Sequence, residues 1–268
     1  MMDRDITLHS GDAVLHLDLD SGGRVTRFSI GDVELVAHVD RGTPFHWGSF
    51  VMAPWAGRIR NGRFTFNGQV HQLPVNWGPH AIHGTVADRP WWVADADGDS
   101  AVIDCPLDDR WPWRGFVRQV IRLGERVVDF RIEVHADDEE FPASVGWHPW
   151  FRRHLTPGGG PVELAFDAEA MLIRDAAGIP TGERGPIREQ PWDDCFDGVR
   201  WPVTLTWPGG VSLEISADTR YGVVYTEPRD ALCVEPQTAP PDALNLEPFV
   251  VVPGRPVSAT MTWAWRSG

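Results

Sequence analysis

Cysteine and long apolar runs are scarce in this chain, and both shortages narrow the class of protein. Its 268 residues include three cysteines, at positions 105, 195 and 233, without paired spacing. The sequence therefore predicts free thiols, with neither a disulfide framework nor a Cys-x-x-Cys metal site. No apolar run reaches about 18 residues, and the first residues lack the apolar core of a signal peptide. We expect a cytoplasmic protein with no membrane partner.

Positive charge is also in short supply. The chain has 24 basic against 38 acidic residues, which gives a formal net charge of −14. This balance disfavours nucleic acid as the main partner. Basic groups such as Arg58, Arg60 and Arg63 can still hold one phosphate, because a local patch outweighs net charge at contact distance.

Helical periodicity and nucleotide-binding loops are missing as well. No segment sustains a 3.6-residue apolar period with caps at both ends, and prolines interrupt most runs. No unit of strand, glycine loop and helix is present, which removes the usual support for dinucleotide or nucleoside triphosphate binding. No linker or internal repeat divides the chain. We predict one domain over residues 1–268.

The strongest pattern present is alternation of apolar and polar residues with period two. It recurs in five runs, at residues 13–19, 63–66, 127–134, 203–207 and 211–215. Turn-forming segments such as Asn67-Gly68 and Pro208-Gly209-Gly210 lie between strand-like runs. Many short strands joined by close turns predict an all-β protein, an antiparallel sandwich or barrel with several hairpins and little helix.

Three segments break this alternation around residues able to bind or move protons. Arg58 follows a tight Pro-Trp-Ala-Gly segment and could present its planar donors to sugar or carboxylate oxygens. His80 and His83 are spaced for metal on a helix, but the flanking Pro79 and Gly84 oppose a helix. Hydrogen bonding by His83 is therefore favoured over zinc binding.

The third segment contains Glu235, which ends an apolar strand immediately before Pro236. A carboxylate there either satisfies backbone donors in the next loop or acts as a base tuned by partial burial. His148 has a similar ambiguity. It lies among aromatic residues in Gly-Trp-His-Pro-Trp-Phe at 146–151, as either a structural histidine or a general acid or base.

Together these segments resemble the aldose 1-epimerase (galactose mutarotase-like) family. Five short motifs occur in the family's order, namely Pro-Trp-Ala-Gly-Arg-Ile at 54–59, Ala-Ile-His-Gly at 81–84, Gly-Trp-His-Pro-Trp-Phe at 146–151, Asp-Asp-Cys-Phe at 193–196 and Glu-Pro-Gln-Thr-Ala-Pro-Pro-Asp-Ala at 235–243. Each motif is weak alone, but five in order on an all-β chain are specific.

The resemblance implies a large antiparallel β-sandwich, the galactose mutarotase-like supersandwich, with a sugar cleft across one sheet. It implies Glu235 as general base and His148 as general acid. Arg58 and His83 match residues that hydrogen-bond the sugar near its ring and anomeric oxygens. Asp193 matches an aspartate that binds sugar hydroxyls, with Asp194 as the alternative if the register differs by one.

The residue types suit the chemistry that the resemblance implies. Interconversion of α and β anomers removes a proton from the anomeric hydroxyl and protonates the ring oxygen, which opens the ring. A carboxylate and an imidazolium can do this together and reverse roles when the ring closes on the other face. The reaction needs no metal or cofactor, and its partner is a monosaccharide.

Several aromatic positions and departures from the family pattern bear on specificity. Trp77 and Trp150 lie near the motifs and are expected to contact the apolar face of a sugar. Gly57 replaces an asparagine of the family, Trp150 a tyrosine and Val223 a glutamine. Each change removes a polar contact, so the resemblance carries no preference between galactose and glucose.

Three other functions remain open from the sequence. A hexose-phosphate 1-epimerase of the same fold would keep Glu235 and His148 and add a cationic phosphate pocket. A glycoside hydrolase would need a second carboxylate, for which Asp193 is the obvious residue. A non-catalytic sugar-binding or sensing module would use the aromatic contacts and not the proton-transfer pair. The sequence gives no oligomeric state.

Overall fold

The structure, a computed structural model, describes residues 5–38, 42–246 and 248–267. Nearly all of its regular structure is β-strand, with a 3₁₀ turn at Arg60–Gly62 and one short helix, α1, at Ala243–Leu246. The strands, in chain order, are β1 (Asp5–Ser10), β2 (Ala13–Asp18), β3 (Arg24–Ile30), β4 (Val33–Glu34), β5 (Ser49–Met52), β6 (Arg58–Ile59), β7 (Arg63–Phe66), β8 (Gln69–Gln72), β9 (Ala81–Ile82), β10 (Trp92–Ala96), β11 (Ser100–Pro106), β12 (Gly115–Leu123), β13 (Val127–Ala136), β14 (Phe141–Ala143), β15 (Gly146–Arg152), β16 (Glu163–Ala165), β17 (Ala168–Arg174), β18 (Pro180–Gly185), β19 (Asp193–Val199), β20 (Val203–Trp207), β21 (Val211–Ala217), β22 (Tyr221–Tyr225), β23 (Ala231–Gln237), β24 (Phe249–Val251) and β25 (Val257–Arg266).

Two large antiparallel sheets dominate the architecture. The larger has the strand order β1-β2-β3-β5-β15-β23-β22-β19-β17-β18, with β4 paired to β3. The smaller has the order β10-β11-β12-β13-β25-β21-β20-β16. Three two-stranded ribbons, β14-β24, β6-β9 and β7-β8, complete the strand pairing. The prediction of an all-β antiparallel sandwich with little helix is confirmed.

The strands predicted from alternation are present, and the turn segments join neighbours. The five runs form β2, β7, β13, β20 and β21. Asn67 and Gly68 connect β7 to β8 with φ values of 49° and 76°, as a tight hairpin requires. The predicted turn at residues 208–210 joins β20 to β21.

The core lies between the inner faces of the two sheets. Phe28 of the larger sheet contacts Trp263 of the smaller, with ring centroids 5.7 Å apart. Trp207, Trp263 and Trp265, on strands of the smaller sheet, are also buried in this core. Because side chains alternate across a strand, the residues between these core positions point away from the core. No helix in the described residues is long and apolar enough to cross a membrane.

Candidate active site

Strand β15 divides its side chains between the core and a pocket on the outer face of the larger sheet. Trp147 and Phe151 belong to the core between the sheets, and the Trp147 indole donates a hydrogen bond to Gln119. His148 and Trp150 line the pocket on the opposite face. The Gly-Trp-His-Pro-Trp-Phe segment is therefore a strand, and its alternating side chains point in turn into the core and into the pocket.

Strand β23 follows the same rule and lies beside β15. Its Leu232 and Val234 enter the core, whereas Glu235 lines the pocket. The register pairs Gly146 with Gln237 and Trp150 with Cys233, which puts His148 opposite Glu235. Residues opposite each other on antiparallel strands have adjacent side chains. The His148 Nε2 and Glu235 Oε1 atoms are 3.3 Å apart, and both side chains are buried.

The His148 imidazole is held between two aromatic rings. Phe50 of β5 stacks on one side with centroids 4.9 Å apart and an interplanar angle of 26°. Trp150 stacks at 5.2 Å and 8°. The Trp150 indole N–H in turn donates to the Phe45 carbonyl over 2.9 Å, which fixes the ring. This arrangement restricts the imidazole to a narrow range of orientations.

The pocket around this pair is open to solvent, and the space within and at the mouth of the pocket amounts to about 780 Å³. All seven residues predicted for the site line it: Arg58, Trp77, His83, His148, Trp150, Asp193 and Glu235. Trp77 is the most exposed of them, at 36%, and its ring meets His46 edge to face. A concave pocket with this mixture of aromatic and polar lining residues is typical of a small-molecule site.

The loops that carry Arg58 and His83 are joined by the short ribbon β6-β9. Arg58 pairs with Ile82, and the His83 N–H donates to the Gly57 carbonyl over 3.0 Å. Gly57 has a φ of 67°, and a Cβ there would lie 2.7 Å from the Pro241 ring. Pro241 thus fills the space that a side chain at position 57 would need.

His83 is a buried neutral imidazole. It adopts a φ of 59°, uncommon for a residue other than glycine, and its ring meets His148 edge to face at 5.1 Å. Burial, with a smaller contribution from the charge of Arg58, lowers its pKa to about 3. Its Nδ1 is buried and has no hydrogen-bond partner among the described residues.

The neighbouring aspartates Asp193 and Asp194 point in different directions. Asp193 lines the pocket, with its carboxylate 3.8 Å from Arg58 and 3.5 Å from Arg174. Asp194 is buried, forms an ion pair with Arg174 at 3.0 Å and accepts a hydrogen bond from Arg188 over 3.1 Å. Of the two positions left open by the sequence, Asp193 is the one that faces the pocket.

Burial drives both members of the pair toward their neutral forms. Desolvation, with help from the negative charge of Asp193, raises the pKa of Glu235 well above that of an ordinary carboxyl, while Arg58 opposes the shift. Desolvation and the neighbouring His83 lower the pKa of His148 well below 6.5. A glutamate and a histidine in contact whose pKa values shift in opposite directions are typical of a functional site.

Cys233 lies beside the pair on the same side of β23 as Glu235. One potential ligand atom from each of His148, Cys233 and Glu235 lies within 4.8 Å of the others. Burial raises the pKa of the Cys233 thiol well above its usual range. The sequence did not predict this cluster, because the residues at 148 and 233 are brought together only by the β15-β23 pairing.

Sequence reasoning also missed three polar pocket residues, His46, Arg174 and Tyr225. His46 lies in a loop with no periodicity. Arg174 is the last residue of β17, and the only sequence feature that pointed to it was its spacing of two residues from Leu172 on the same strand. Tyr225 of β22 pairs with Asp193 on one side and Cys233 on the other. Its position in the pocket follows from the order of the strands in the sheet, which the sequence does not reveal.

Comparison with known proteins agrees with this architecture. A family model described as aldose 1-epimerase matches residues 4–263. The chain is 25% identical over 218 residues to YihR, an uncharacterized protein of Escherichia coli strain K12, in a match that covers 73% of this chain and 71% of YihR. It is 27% identical over 197 residues to the galactose mutarotase of Sus scrofa, covering 69% of this chain. That match spans about half of the pig protein, 54% of its length.

The fold also resembles that of solved structures. A galactose mutarotase-like protein from Clostridium acetobutylicum superimposes with a TM-score of 0.82 at 17% identity, covering 98% of this chain and 95% of that protein. The likeness shows a shared β-sandwich fold.

Proposed function

Since the chain belongs to the aldose 1-epimerase family, we propose that it is an active mutarotase that interconverts the α and β anomers of a free aldose. The contact between His148 Nε2 and Glu235 Oε1 at the floor of the pocket is the observation that carries this proposal. It supplies a proton acceptor and a proton donor side by side, as simultaneous deprotonation of the anomeric hydroxyl and protonation of the ring oxygen require.

The working form of this pair holds one proton. Burial favours the neutral pair, in which the proton is on Glu235. The proton moves to His148 across the 3.3 Å contact as the sugar binds, which leaves a carboxylate and an imidazolium. The faces of Phe50 and Trp150 on either side of the ring favour its cationic form.

Ring opening then uses both groups at once. Glu235 accepts the proton of the anomeric hydroxyl while His148 donates its proton to the ring oxygen, and the C1 to ring-oxygen bond breaks to give the open-chain aldehyde. Rotation about the C1–C2 bond exposes the other face of the carbonyl. The ring oxygen returns its proton to His148 as it attacks C1, and Glu235 returns a proton to the new anomeric oxygen.

Other pocket residues hold the sugar in place. We assign Arg58 and His83 to the oxygens near the reacting carbon, because both line the pocket together with His148 and Glu235. Asp193 accepts from sugar hydroxyls. Trp77, partly exposed at the pocket edge, covers an apolar sugar face.

The central test is Glu235→Gln, which keeps the shape of the side chain and removes its ability to accept a proton. We expect the rate of anomer interconversion to fall by about 10²–10⁴-fold, because one general acid–base group contributes that much. Polarimetry or anomeric NMR on a panel of free aldoses measures the rate, and calorimetry measures sugar binding. Binding should persist.

Two results separate this proposal from two alternatives, a non-catalytic sugar-binding module and a hexose-phosphate epimerase. Wild-type protein that binds aldoses without accelerating their interconversion would show a binding or sensing module. Turnover confined to sugar phosphates would show a hexose-phosphate epimerase. We expect free aldoses to be preferred, because Arg58 and Arg174 already face the Asp193 carboxylate and leave little positive charge for a phosphate.

A further inference from the structure

We infer that His148, Cys233 and Glu235 together form a binding site for Zn²⁺, and that the bound ion blocks the proton-transfer pair. The binding claim stands on the geometry of these residues. The inhibition claim rests on the proposed function, since it needs a reaction to inhibit.

The three side chains converge because of strand pairing. Cys233 and Glu235 are two residues apart on β23, so both point to the outer face of the larger sheet. His148 enters from β15, where the register puts it opposite Glu235. Each contributes one potential ligand atom within 4.8 Å of the other two, and the side chains are already ordered by burial.

The donor set fits the chemistry of zinc. Zn²⁺ prefers tetrahedral coordination by thiolate, imidazole and carboxylate, at about 2.0–2.3 Å from each ligand atom. An imidazole, a thiol and a carboxyl supply one of each. On binding, the Cys233 thiol and the Glu235 carboxyl each release a proton to solvent, and the resulting thiolate and carboxylate balance the two charges of the ion. The pocket supplies a fourth ligand from solvent.

The surroundings favour reversible binding over a permanent structural metal. Structural zinc sites are closed by four protein ligands, whereas this cluster offers three and opens to the pocket through His148 and Glu235. Metal-binding histidines normally donate their second ring nitrogen to a partner, but His148 Nδ1 has none among the described residues. An ion that enters here occupies the atoms that must exchange protons with a sugar.

Cys233 is otherwise unexplained by the proposed reaction. It does not line the pocket and has no part in ring opening, so its replacement separates metal binding from catalysis. Cys105 provides a matched control, because it is a buried, unpaired cysteine on β11 of the smaller sheet. Its replacement by serine makes the same chemical change away from the proposed site.

The experiment uses the full chain after removal of metal with a chelator. Calorimetric titration with Zn²⁺ should give one site in the wild type and in Cys105→Ser, with the dissociation constant at least about tenfold higher in Cys233→Ser. Titration with Co²⁺ should give a thiolate-to-metal absorption band that Cys233→Ser lacks. Cys233→Ala serves as a second variant, because alanine buries no hydroxyl group.

Mutarotation in the presence of Zn²⁺ is measured separately. Zinc should inhibit the wild type and Cys105→Ser, and Cys233→Ser should keep its metal-free rate while requiring at least about tenfold more zinc for inhibition. Absence of binding by the wild type, or equal binding by Cys233→Ser, overturns the proposed site. Cys233-dependent zinc binding in a protein without mutarotation would leave the metal site standing and refute the proposed function.

Discussion

At the scale of single residues, burial gives His148 and Glu235 properties that neither side chain has in water. Desolvation disfavours charge on both, so one proton is retained over a wide range of pH. Neighbouring charges adjust this balance, since Asp193 raises the pKa of Glu235 and Arg58 lowers it. The pair is therefore tuned by the same residues that we assign to sugar binding.

The dependence of kcat/KM on pH tests this balance. As pH falls, the pair takes up a second proton, on His148, and becomes inactive. Because the pKa of His148 is lowered, we expect this decline in kcat/KM below pH 6.5. As pH rises through the raised pKa of Glu235, the pair loses its last proton and activity declines. An acidic decline centred at 6.5, as for a solvated imidazole, would contradict the assignment.

Two substitutions that change the charge near Glu235 in opposite directions are matched controls for this pH profile of kcat/KM. Asp193→Asn removes the negative charge that raises the pKa of Glu235, so its alkaline decline should move to lower pH. Arg58→Gln removes the opposing positive charge and should move that decline to higher pH. Both variants lose sugar contacts, which lowers kcat/KM at every pH. Only a change in the proton affinity of Glu235 changes the pH at which kcat/KM declines.

Trp150 holds the His148 ring, and its replacement should affect turnover more than binding. Trp150→Leu removes the stacked ring and its hydrogen bond to Phe45, and we expect kcat to fall by about 10- to 100-fold because the imidazole loses its orientation. Trp150→Phe keeps an aromatic ring and should lose less. Steady-state kinetics by polarimetry separate kcat from KM.

Trp77 is the control for that variant, because it lines the same pocket but its ring meets His46 edge to face and does not stack on His148. Trp77→Leu should raise KM with little change in kcat. If Trp150→Leu also raised KM alone, its role would be contact with the sugar and not positioning of the histidine.

At the scale of elements, the sequence predicted the strands well and their order poorly. Alternation identified runs such as those of β13 and β21, because a half-buried strand repeats every two residues. Sheet order depends on contacts between distant segments, and the adjacency of β15 and β23 had no local signal. Glu235 and His148 could be linked through the family resemblance alone, whereas Cys233 and Tyr225 emerged from the pairing itself.

Loops that present the site residues depend on glycine at particular positions. Gly84, immediately after His83, has a φ of 76°, and a Cβ built there would overlap the Ala53 carbonyl. We expect Gly84→Ala to lower the free energy of unfolding by about 1 kcal/mol for the left-handed backbone and by about 1–3 kcal/mol more for the overlap. Urea unfolding followed by tryptophan fluorescence measures the change.

Gly68→Ala separates these two effects. Gly68 has the same φ of 76° in the β7-β8 hairpin, but a Cβ there meets no atom within 4 Å. It should therefore lose only the backbone contribution, about 1 kcal/mol. Equal losses in the two variants would show that the approach of Ala53 to Gly84 does not constrain the loop.

At the scale of the whole molecule, the two faces of the larger sheet have separate tasks. Its inner face joins the smaller sheet in one extensive apolar core that includes Phe28 and Trp263. Its outer face carries the buried titratable side chains of the pocket, which oppose folding because they are removed from water. The apolar core offsets the unfavourable free energy of burying these side chains. Such a conflict between function and stability is common in enzymes.

This separation predicts that Glu235→Gln stabilises the fold while it lowers the rate of turnover by about 10²–10⁴-fold. The folded pKa of Glu235 lies above its unfolded value of about 4.5, so folding binds a proton and stability falls as pH rises through the folded value. Glutamine resembles the neutral acid and removes this loss. The melting temperature of the variant should exceed that of the wild type at neutral and alkaline pH, by about 2–4 °C for each kcal/mol recovered. The difference should shrink as pH is lowered toward 4.5, and a melting temperature gain that is independent of pH would place its cause outside the ionisation of Glu235.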